Sequence, residues 1–266
     1  MNPLIILSVV LLALPRLSVA AVLLNDNFES YSLGSKPTNP GDGNPNNWVF
    51  GATLSPSSVV EGSSPGGSGA NQKVLNALDA TPGSYGSFSR LFERQTNDGI
   101  DDLISLQLKF KVNSLTSSDY MIDLIDSTIN SFSGPAVIRI SQAGGVMVYT
   151  GSGTPVLLDN GSINLTDWYQ LSVIMDLGSQ TYSVSLGNIT TNTPAASLNA
   201  LPFYTNVHSV NGLLIRSTAT NANANLDWLV DDVVVQSIPE PATIALLVAG
   251  LVFALVGARG RRVRTS

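Results

Sequence analysis

The chain has 266 residues with no cysteine, one histidine, 13 Lys and Arg, 19 Asp and Glu, and many Gly, Pro, Ser, Thr and Asn. The absence of cysteine excludes disulfides, thiol catalysis and cysteine-ligated zinc. The acidic balance argues against nucleic acid as a partner, because phosphate binding depends on clustered cations. A turn-rich composition of this kind is typical of a secreted β-protein.

The first 20 residues are predicted to be a signal peptide. The apolar run from Leu4 to Leu14 is too short to span a bilayer, and Ser18, Val19 and Ala20 are the small residues that signal peptidase requires. We place cleavage after Ala20. The segment 21–238 then contains 8 basic and 18 acidic residues, a net charge of about −10, and fits one all-β domain.

Short strands follow one another along this segment. In Ile104 to Val112 every second residue is apolar, which predicts a strand with one buried face and one wet face. Tyr169 to Met175 and Tyr182 to Leu186 predict a hairpin whose turn contains Gly178. Further strands are predicted at Ala21 to Phe28, Val74 to Leu78, Ser87 to Phe92, Tyr120 to Ile125, Ala136 to Ile140, Val146 to Thr150, Leu213 to Arg216 and Leu229 to Gln236. No stretch keeps a 3.6-residue period, so the pattern predicts a two-sheet sandwich.

Three passages resemble known families. The stretch Asn25-Asp26-Asn27-Phe28-Glu29-Ser30-Tyr31 and the stretch Trp228 to Val235 are similar to the first and last strands of lectin-like or carbohydrate-binding jelly rolls. Trp168 to Val173 with Thr181 to Leu186 resembles the paired strands of concanavalin A-like and laminin G-like domains. These resemblances imply an all-β, two-sheet jelly-roll sandwich. An immunoglobulin-like sandwich is the alternative.

Acidic residues lie at both ends of the domain: Asp26 and Glu29 at the front, Asp231 and Asp232 at the back. The terminal strands of jelly rolls often lie side by side, and hard oxygen ligands suit calcium. In the resembling modules a Glu after the first-strand Phe and an Asp of the last strand hold a structural ion. We therefore expect either a structural calcium site at these four residues or solvated strand-end carboxylates.

No catalytic residues are predicted. Met121 to Asp126 is the stretch nearest to the Glu-x-Asp-x-x-Glu pattern of concanavalin A-like glucanases, but the nucleophile position is Met121 and the acid position is Asp126. On a regular strand Asp123 and Asp126 point to opposite faces, whereas glycoside hydrolysis needs two facing carboxylates. A Ser-His-Asp triad would have to use His208, the single histidine, but no Gly-x-Ser-x-Gly nucleophile elbow between a strand and a helix is predicted.

A long Gly-, Pro- and Asn-rich loop precedes Trp48. Long loops in compact domains are often functional, and an exposed tryptophan can stack on sugar rings. We therefore take Trp48 as the candidate for sugar stacking at the surface, with packing into the core as the alternative.

The last 28 residues have three ordered parts: Pro239-Glu240-Pro241, an uncharged apolar run from Ala242 to Ala258, and a tail with four arginines. As a helix the 17 apolar residues would cover about 26 Å, enough to cross a bilayer. Arginines collect on the cytoplasmic side, so the domain is predicted to face out. The two prolines fix their φ angles and favour an extended joint beside the membrane.

The order Pro239-Glu240-Pro241, apolar helix and arginine cluster resembles the PEP-CTERM sorting signal of Gram-negative bacteria. This resemblance implies processing by the membrane enzyme exosortase, an inner-membrane anchor during transit, and delivery to the cell surface or extracellular matrix. Together the observations predict a carbohydrate-binding or structural component of exopolysaccharide or biofilm that is not an enzyme. The alternatives are a purely structural surface protein and a secreted glycan hydrolase or lyase with an unrecognised site.

Overall fold

The structure is a computed structural model, and it describes residues 20–37, 48–50, 57–62, 65, 72–78, 86–96, 103–115, 118–128, 134–151, 153–159, 163–219 and 227–238. The predicted signal peptide before Ala20, the sorting residues Pro239, Glu240 and Pro241, and the predicted helix over 242–258 lie outside the described residues. Within the described residues, no helix has the length and apolar character needed to cross a bilayer.

Fifteen strands in two antiparallel sheets form the described part of the chain, which confirms the predicted all-β, two-sheet architecture. We call the first sheet A. Its strands run in the order β13-β12-β11-β6-β15-β4-β3, and β1 also pairs with β15. These strands are β1 (Val22–Asp26), β3 (Ser58–Glu61), β4 (Lys73–Leu78), β6 (Leu103–Val112), β11 (Tyr169–Asp176), β12 (Thr181–Asn188), β13 (Thr193–Pro202) and β15 (Asp227–Ile238).

We call the second sheet B. Its order is β10-β9-β8-β7-β14-β5-β2. The strands are β2 (Val49–Phe50), β5 (Ser87–Thr96), β7 (Ser118–Ile125), β8 (Ala136–Ile140), β9 (Val146–Tyr149), β10 (Pro155–Asp159) and β14 (Ser209–Ala219). The chain passes repeatedly from one sheet to the other, so neighbouring strands often come from distant parts of the sequence. This connectivity resembles a jelly roll.

The alternating pattern in β6 and the predicted hairpin are both confirmed. Leu106, Leu108 and Phe110 are buried between the sheets, whereas Gln107 is exposed. The hairpin strands β11 and β12 pair in unbroken register, with Leu171 opposite Leu186. Because a slip of one residue would turn every side chain to the other face, the apolar pattern fixes this register.

A chain of aromatic rings joins the two sheets through the core. The ring centroids of Phe110 and Trp228 in sheet A are 5.3 Å apart, and Trp228 lies 5.1 Å from Tyr120 in sheet B. Trp228 and Tyr120 are fully buried. Large buried rings contribute more apolar area than other side chains, so this cluster is a main source of cohesion between the sheets.

The two ends of the domain lie side by side. Strand β1 is antiparallel to β15, with Asp26 opposite Val233. On the same side of β15, Val230 pairs with Leu75 of β4. The strand therefore changes partner between residues 230 and 233, and a register shift occurs there, with Asp232 at a φ of 47°. Asp tolerates this left-handed conformation better than most residues, which suits a bulge at this position.

Candidate functional site

Asp26 lies buried at the end of β1, where it connects the two sheets. Its carboxylate accepts hydrogen bonds from Trp48 Nε1 at 2.8 Å, from Tyr31 Oη at 3.0 Å and from the Phe28 backbone N–H at 2.9 Å. Arg90, which points inward from β5, forms an ion pair with it at 2.6 Å. Asp26 is therefore held by groups from its own loop and from sheet B.

The other three predicted metal ligands have separate partners. Glu29 accepts from the Lys73 backbone N–H at 2.9 Å, Asp232 forms an ion pair with Lys109 at 2.7 Å, and Asp231 accepts from the Asp232 backbone N–H at 2.8 Å. Among the described residues, no three acidic, histidine or cysteine side chains form a group that could hold a metal ion. The pairing of the terminal strands is as predicted, but the four carboxylates do not converge on one point, and each has a basic side chain or a backbone N–H as a partner.

Trp48 is buried, with 1% of its surface exposed. Its ring packs against Phe28 and Phe88 with centroid distances of 6.0 and 5.5 Å. The expectation that Trp48 stacks on sugar rings at the surface is therefore wrong. Its indole N–H is satisfied by Asp26, so a polar partner as well as apolar rings draws this side chain inward.

The outward side of sheet B carries a different group of charged residues. On β7 the residues Tyr120, Ile122 and Leu124 point inward and are buried, so Asp119 and Asp123 lie on the opposite side. Directly opposed residues of neighbouring strands share a face, which extends this set across β14, β8 and β9. We call this set the outer B face; its charged and aromatic members are Asp119, Asp123, Arg139, Tyr149 and Arg216.

Asp123 is the most unusual member of the outer B face. It is fully buried, and its Oδ2 accepts from Arg216 Nε at 2.8 Å, whereas its Oδ1 has no hydrogen-bond partner among the described residues. A buried carboxylate oxygen without a partner carries the full cost of desolvation. Burial raises the pKa of Asp123 to about 7, against the lowering effect of Arg216.

Arg139 forms the centre of a second network on this face. It makes an ion pair with Asp119 and donates from Nη1 to Tyr149 Oη at 2.7 Å. The other oxygen of Asp119 accepts from the Gln142 backbone N–H at 2.8 Å. The Tyr149 ring meets the edge of Tyr204 with a centroid distance of 5.6 Å. The arginine is thus fixed from two sides while 30% of its side chain stays exposed.

The two networks lie in one row across the sheet. Met121 of β7 is opposite Arg216 on one side and opposite Arg139 on the other. Neighbouring strands are about 4.8 Å apart, so the two arginine backbones are about 10 Å apart with Met121 between them. A row of fixed donors and acceptors with an apolar centre and tyrosines at one end can bind an extended polar ligand through hydrogen bonds and ring contacts.

A shallow depression of about 210 Å³ lies on the outward side of sheet A, beside the bulge in β15. Its lining residues are Gln107, Leu108, Lys109, Gln170, Asp232 and Val234. Lys109 is held by Asp232 and also donates to the Pro65 carbonyl oxygen at 3.2 Å. Polar side chains therefore converge at this depression as well as on the outer B face.

Asp123 and Asp126, the two aspartates in the stretch nearest to the glucanase pattern, have different surroundings. Asp126 is buried just beyond the end of β7 and accepts from Ser209 Oγ, with Arg94 at 3.2 Å. Asp123 instead faces Arg216 on the outer B face. The two carboxylates therefore do not form one acid–base pair.

The single histidine lies in the loop between β13 and β14. His208 is exposed, and its Nδ1 lies 3.1 Å from Gln180 Nε2. The side chain of Gln180 is an amide, so this contact does not activate a nucleophile.

Asp119, Arg139 and Arg216 were not identified as site residues from the sequence. The two arginines each follow a short apolar run, Val-Ile before Arg139 and Leu-Leu-Ile before Arg216, whereas Asp119 is the second residue of β7. Charged side chains are rarely buried unless they are paired, so an arginine in such a strand predicts a carboxylate partner on the adjacent strand. Which carboxylate it meets depends on strand order, which a local pattern does not contain.

Replacing Asp123 by asparagine is expected to flatten the pH dependence of stability between about pH 4 and pH 7. Since the pKa of Asp123 is raised from 3.8 to about 7, the folded state binds more protons than the unfolded state in this window, and wild-type stability falls as the pH rises. Asparagine does not titrate, so this loss is absent from the variant. Between pH 5 and pH 8 the free energy of unfolding should fall by at least about 1 kcal/mol more in the wild type than in Asp123→Asn. Urea unfolding at both pH values measures the difference, and identical pH trends for the two proteins would contradict it.

Several solved structures are similar to the domain. Arcelin-5, a lectin-like defence protein from Phaseolus vulgaris, is 9% identical with a TM-score of 0.49, covering 84% of this chain and 99% of arcelin-5. Lectin II from Ulex europaeus is 9% identical with a TM-score of 0.48, covering 82% and 100%. An endo-β-1,4-glucuronan lyase from the fungus Trichoderma reesei is 11% identical with a TM-score of 0.45, covering 71% and 90%. No curated protein matches the chain in sequence.

The carboxy-terminal segment matches a known sorting motif. The match covers residues 237–262, which include Pro239, Glu240, Pro241, the apolar run and three of the tail arginines. The first two matched residues, Ser237 and Ile238, are the last residues of β15. The chain therefore carries a PEP-CTERM protein-sorting motif, as the order of its last residues predicted.

Proposed function

We propose that this chain is a cell-surface or extracellular-matrix protein that is processed by exosortase and binds a polysaccharide through the outer B face. The sorting motif supports export and membrane anchoring before release. The domain before it supplies the binding activity. Its likeness to lectins concerns the shape of the chain, so the ligand is argued from the residues of this protein.

The observation that carries the proposal is the row of fixed charged groups on the outer B face. Arg139 is held by Asp119 and Tyr149, and Arg216 is held by Asp123, so both guanidinium groups are oriented before a ligand arrives. Orientation in advance lowers the entropy that binding costs. The guanidinium N–H groups on the partly exposed sides of these arginines match the hydroxyl oxygens of a sugar.

The charge of the domain favours an uncharged polysaccharide. Segment 21–238 carries about −10, and this charge repels a polyanion at long range. Both arginines of the outer B face are paired with carboxylates, so the face adds little net positive charge of its own.

The binding proposal is tested with segment 21–238 in gels containing a neutral polysaccharide (dextran, cellulose derivatives or a galactan) or a polyuronate. We expect at least one neutral polymer to retard the domain at physiological salt. Retardation by the polyuronate alone, and only at low salt, would point to charge without recognition. Free migration in every gel would contradict glycan binding and leave a purely structural surface role.

A glycan hydrolase or lyase is the second candidate, and the raised pKa of Asp123 favours it. A carboxyl with a pKa of about 7 has the property of a general acid or base. For hydrolysis a second carboxylate is needed within about 5–9.5 Å. Asp119 is four residues from Asp123 on the same strand, so their backbones are about 13 Å apart. This separation favours binding over hydrolysis, and release of reducing ends or unsaturated products from the polymers above would reverse that preference.

The sorting half of the proposal predicts a mass change. When Glu240→Ala and Pro241→Ala are introduced together, the extended joint that the membrane enzyme reads is lost, and the precursor is expected to accumulate at its full mass in the membrane fraction. Immunoblots of membrane and released fractions measure both forms. The change Ile238→Val, beside the motif, serves as the control. Normal release and mass in the double variant would show that the tail is only an anchor.

A further inference from the structure

Strand β15 is central in sheet A and is paired up to its last residue. On one side, Val234 to Ile238 pair with Gln107 to Leu103 of β6. On the other side, Gln236 pairs with Val22 of β1. Val235 and Ser237 are fully buried there. Pro239 follows immediately in the sequence, so no linker separates the sheet from the sorting motif.

The start of the domain is fixed to the same place. The Ala21 carbonyl oxygen accepts from the Ser237 backbone N–H at 2.9 Å, and the Ala21 N–H donates to Ser237 Oγ at 3.2 Å. Since β1 and β15 are antiparallel, the chain enters and leaves the sandwich at one end. The predicted signal peptide and the sorting tail therefore both extend from this end, and a folded domain can be attached to one membrane by both.

The surface at this end is partly apolar. Val22 is 62% exposed, and Ile238 and its cross-strand partner Leu103 are each partly exposed. Reaching residues before Pro239 would require unpairing Ser237 and Ile238 from their neighbouring strands and exposing the buried Val235. Strand β15 ends at Ile238, so Pro239 and the residues after it are not among its paired residues.

We propose that the membrane enzyme that reads the sorting motif acts on the folded sandwich, with β1 and β15 paired, and that the end carrying Ala21, Val22, Leu103 and Ile238 is the surface that faces this enzyme and the membrane. The inference rests on processing of the motif, which is part of the proposed function. Beyond that function, it specifies that the substrate is folded when it is processed and which end of the domain the enzyme contacts.

The test fixes the terminal strands covalently in the full-length precursor. Val22→Cys and Gln236→Cys are introduced together at positions that are direct partners in the register. Antiparallel partners have Cα atoms about 4.5–5.5 Å apart, within the range that a disulfide spans. The chain has no other cysteine, so a single bond can form in the oxidising compartment. Non-reducing gels report the bond, and the mass of the chain reports processing.

We expect the bond to form in the precursor and the oxidised chain to be processed within about twofold of the rate of each single-cysteine variant. An oxidised chain that accumulates as precursor, while the single variants and the reduced double variant are processed, would overturn the inference. So would a precursor that forms no bond although the processed protein does. Asn25→Cys with Val234→Cys, a second partner pair, repeats the test further from the joint. If the wild type itself is never processed, the sorting proposal fails and this inference fails with it.

Discussion

Replacing Asp26 by alanine is expected to lower the free energy of unfolding by about 3–5 kcal/mol, because removal of one partner from a buried ion pair leaves an uncompensated charge. Arg90 is the remaining charge, and its side chain is only 6% exposed. Trp48 Nε1 and Tyr31 Oη lose their acceptor as well. Urea unfolding of segment 21–238 measures the change.

A matched change at a surface ion pair provides the control. Asp232 also pairs with a basic residue, Lys109, but 41% of the Asp232 side chain is exposed. Asp232→Asn keeps a residue that tolerates the left-handed backbone and should cost less than about 1 kcal/mol. The double change Asp26→Asn with Arg90→Met should recover part of the loss, since it removes both charges. Equal effects of Asp26→Ala and Asp232→Asn would contradict the assigned role of Asp26.

Replacing Arg139 by alanine is expected to weaken polysaccharide binding about 10- to 100-fold. Hydrogen bonds to a charged group contribute about 1.5–3 kcal/mol, and each 1.4 kcal/mol is a factor of ten in affinity. Arg139→Lys keeps the charge but loses the planar set of donors, so it should recover only part of the affinity. Retardation in gels that contain increasing polymer concentrations gives the dissociation constants.

Two further variants test which face of the domain binds the polysaccharide. Tyr149→Phe removes only the hydroxyl that orients Arg139 and keeps the ring that meets Tyr204, so binding should weaken less than in Arg139→Ala. Lys109→Ala changes the depression on sheet A and should leave binding unaltered. If Lys109→Ala lost binding while Arg139→Ala bound fully, the binding site would lie on sheet A and the proposed site would be wrong.

The strands that were predicted and those that were missed occupy different places in the sheets. The predicted strands are nearly all central, where one or both faces are buried and apolar residues alternate or run together. The strands without a prediction, β2, β3, β10 and β13, are those at the ends of the two strand orders. Pro155 opens β10, and Pro194 and Pro202 lie in β13. Proline and small polar residues at an exposed edge prevent pairing with another chain. They also interrupt the alternation of apolar and polar residues from which a strand is predicted.

Less of the candidate site than of the fold could be predicted from the sequence. Asp26, Asp231 and Asp232 lie on paired strands, as predicted. Asp26, however, meets Arg90 from the other sheet, and no local pattern predicts a contact between residues 64 positions apart. Trp48 was expected outside because it follows a long loop, whereas its indole N–H and ring both find partners in the core. The pairing of Asp123 with Arg216 likewise depends on β7 and β14 being neighbours, which is a property of the topology.

Binding on the outer B face is tested most directly by a map of backbone amide shifts in isotope-labelled segment 21–238 during titration with the polysaccharide that retards it. The shifts are expected to cluster on β7, β8, β9 and β14, around Asp119, Asp123, Arg139, Tyr149 and Arg216. Shifts that cluster on β6, β11 and β15 around Gln107, Lys109 and Gln170, with the outer B face unchanged, would contradict it.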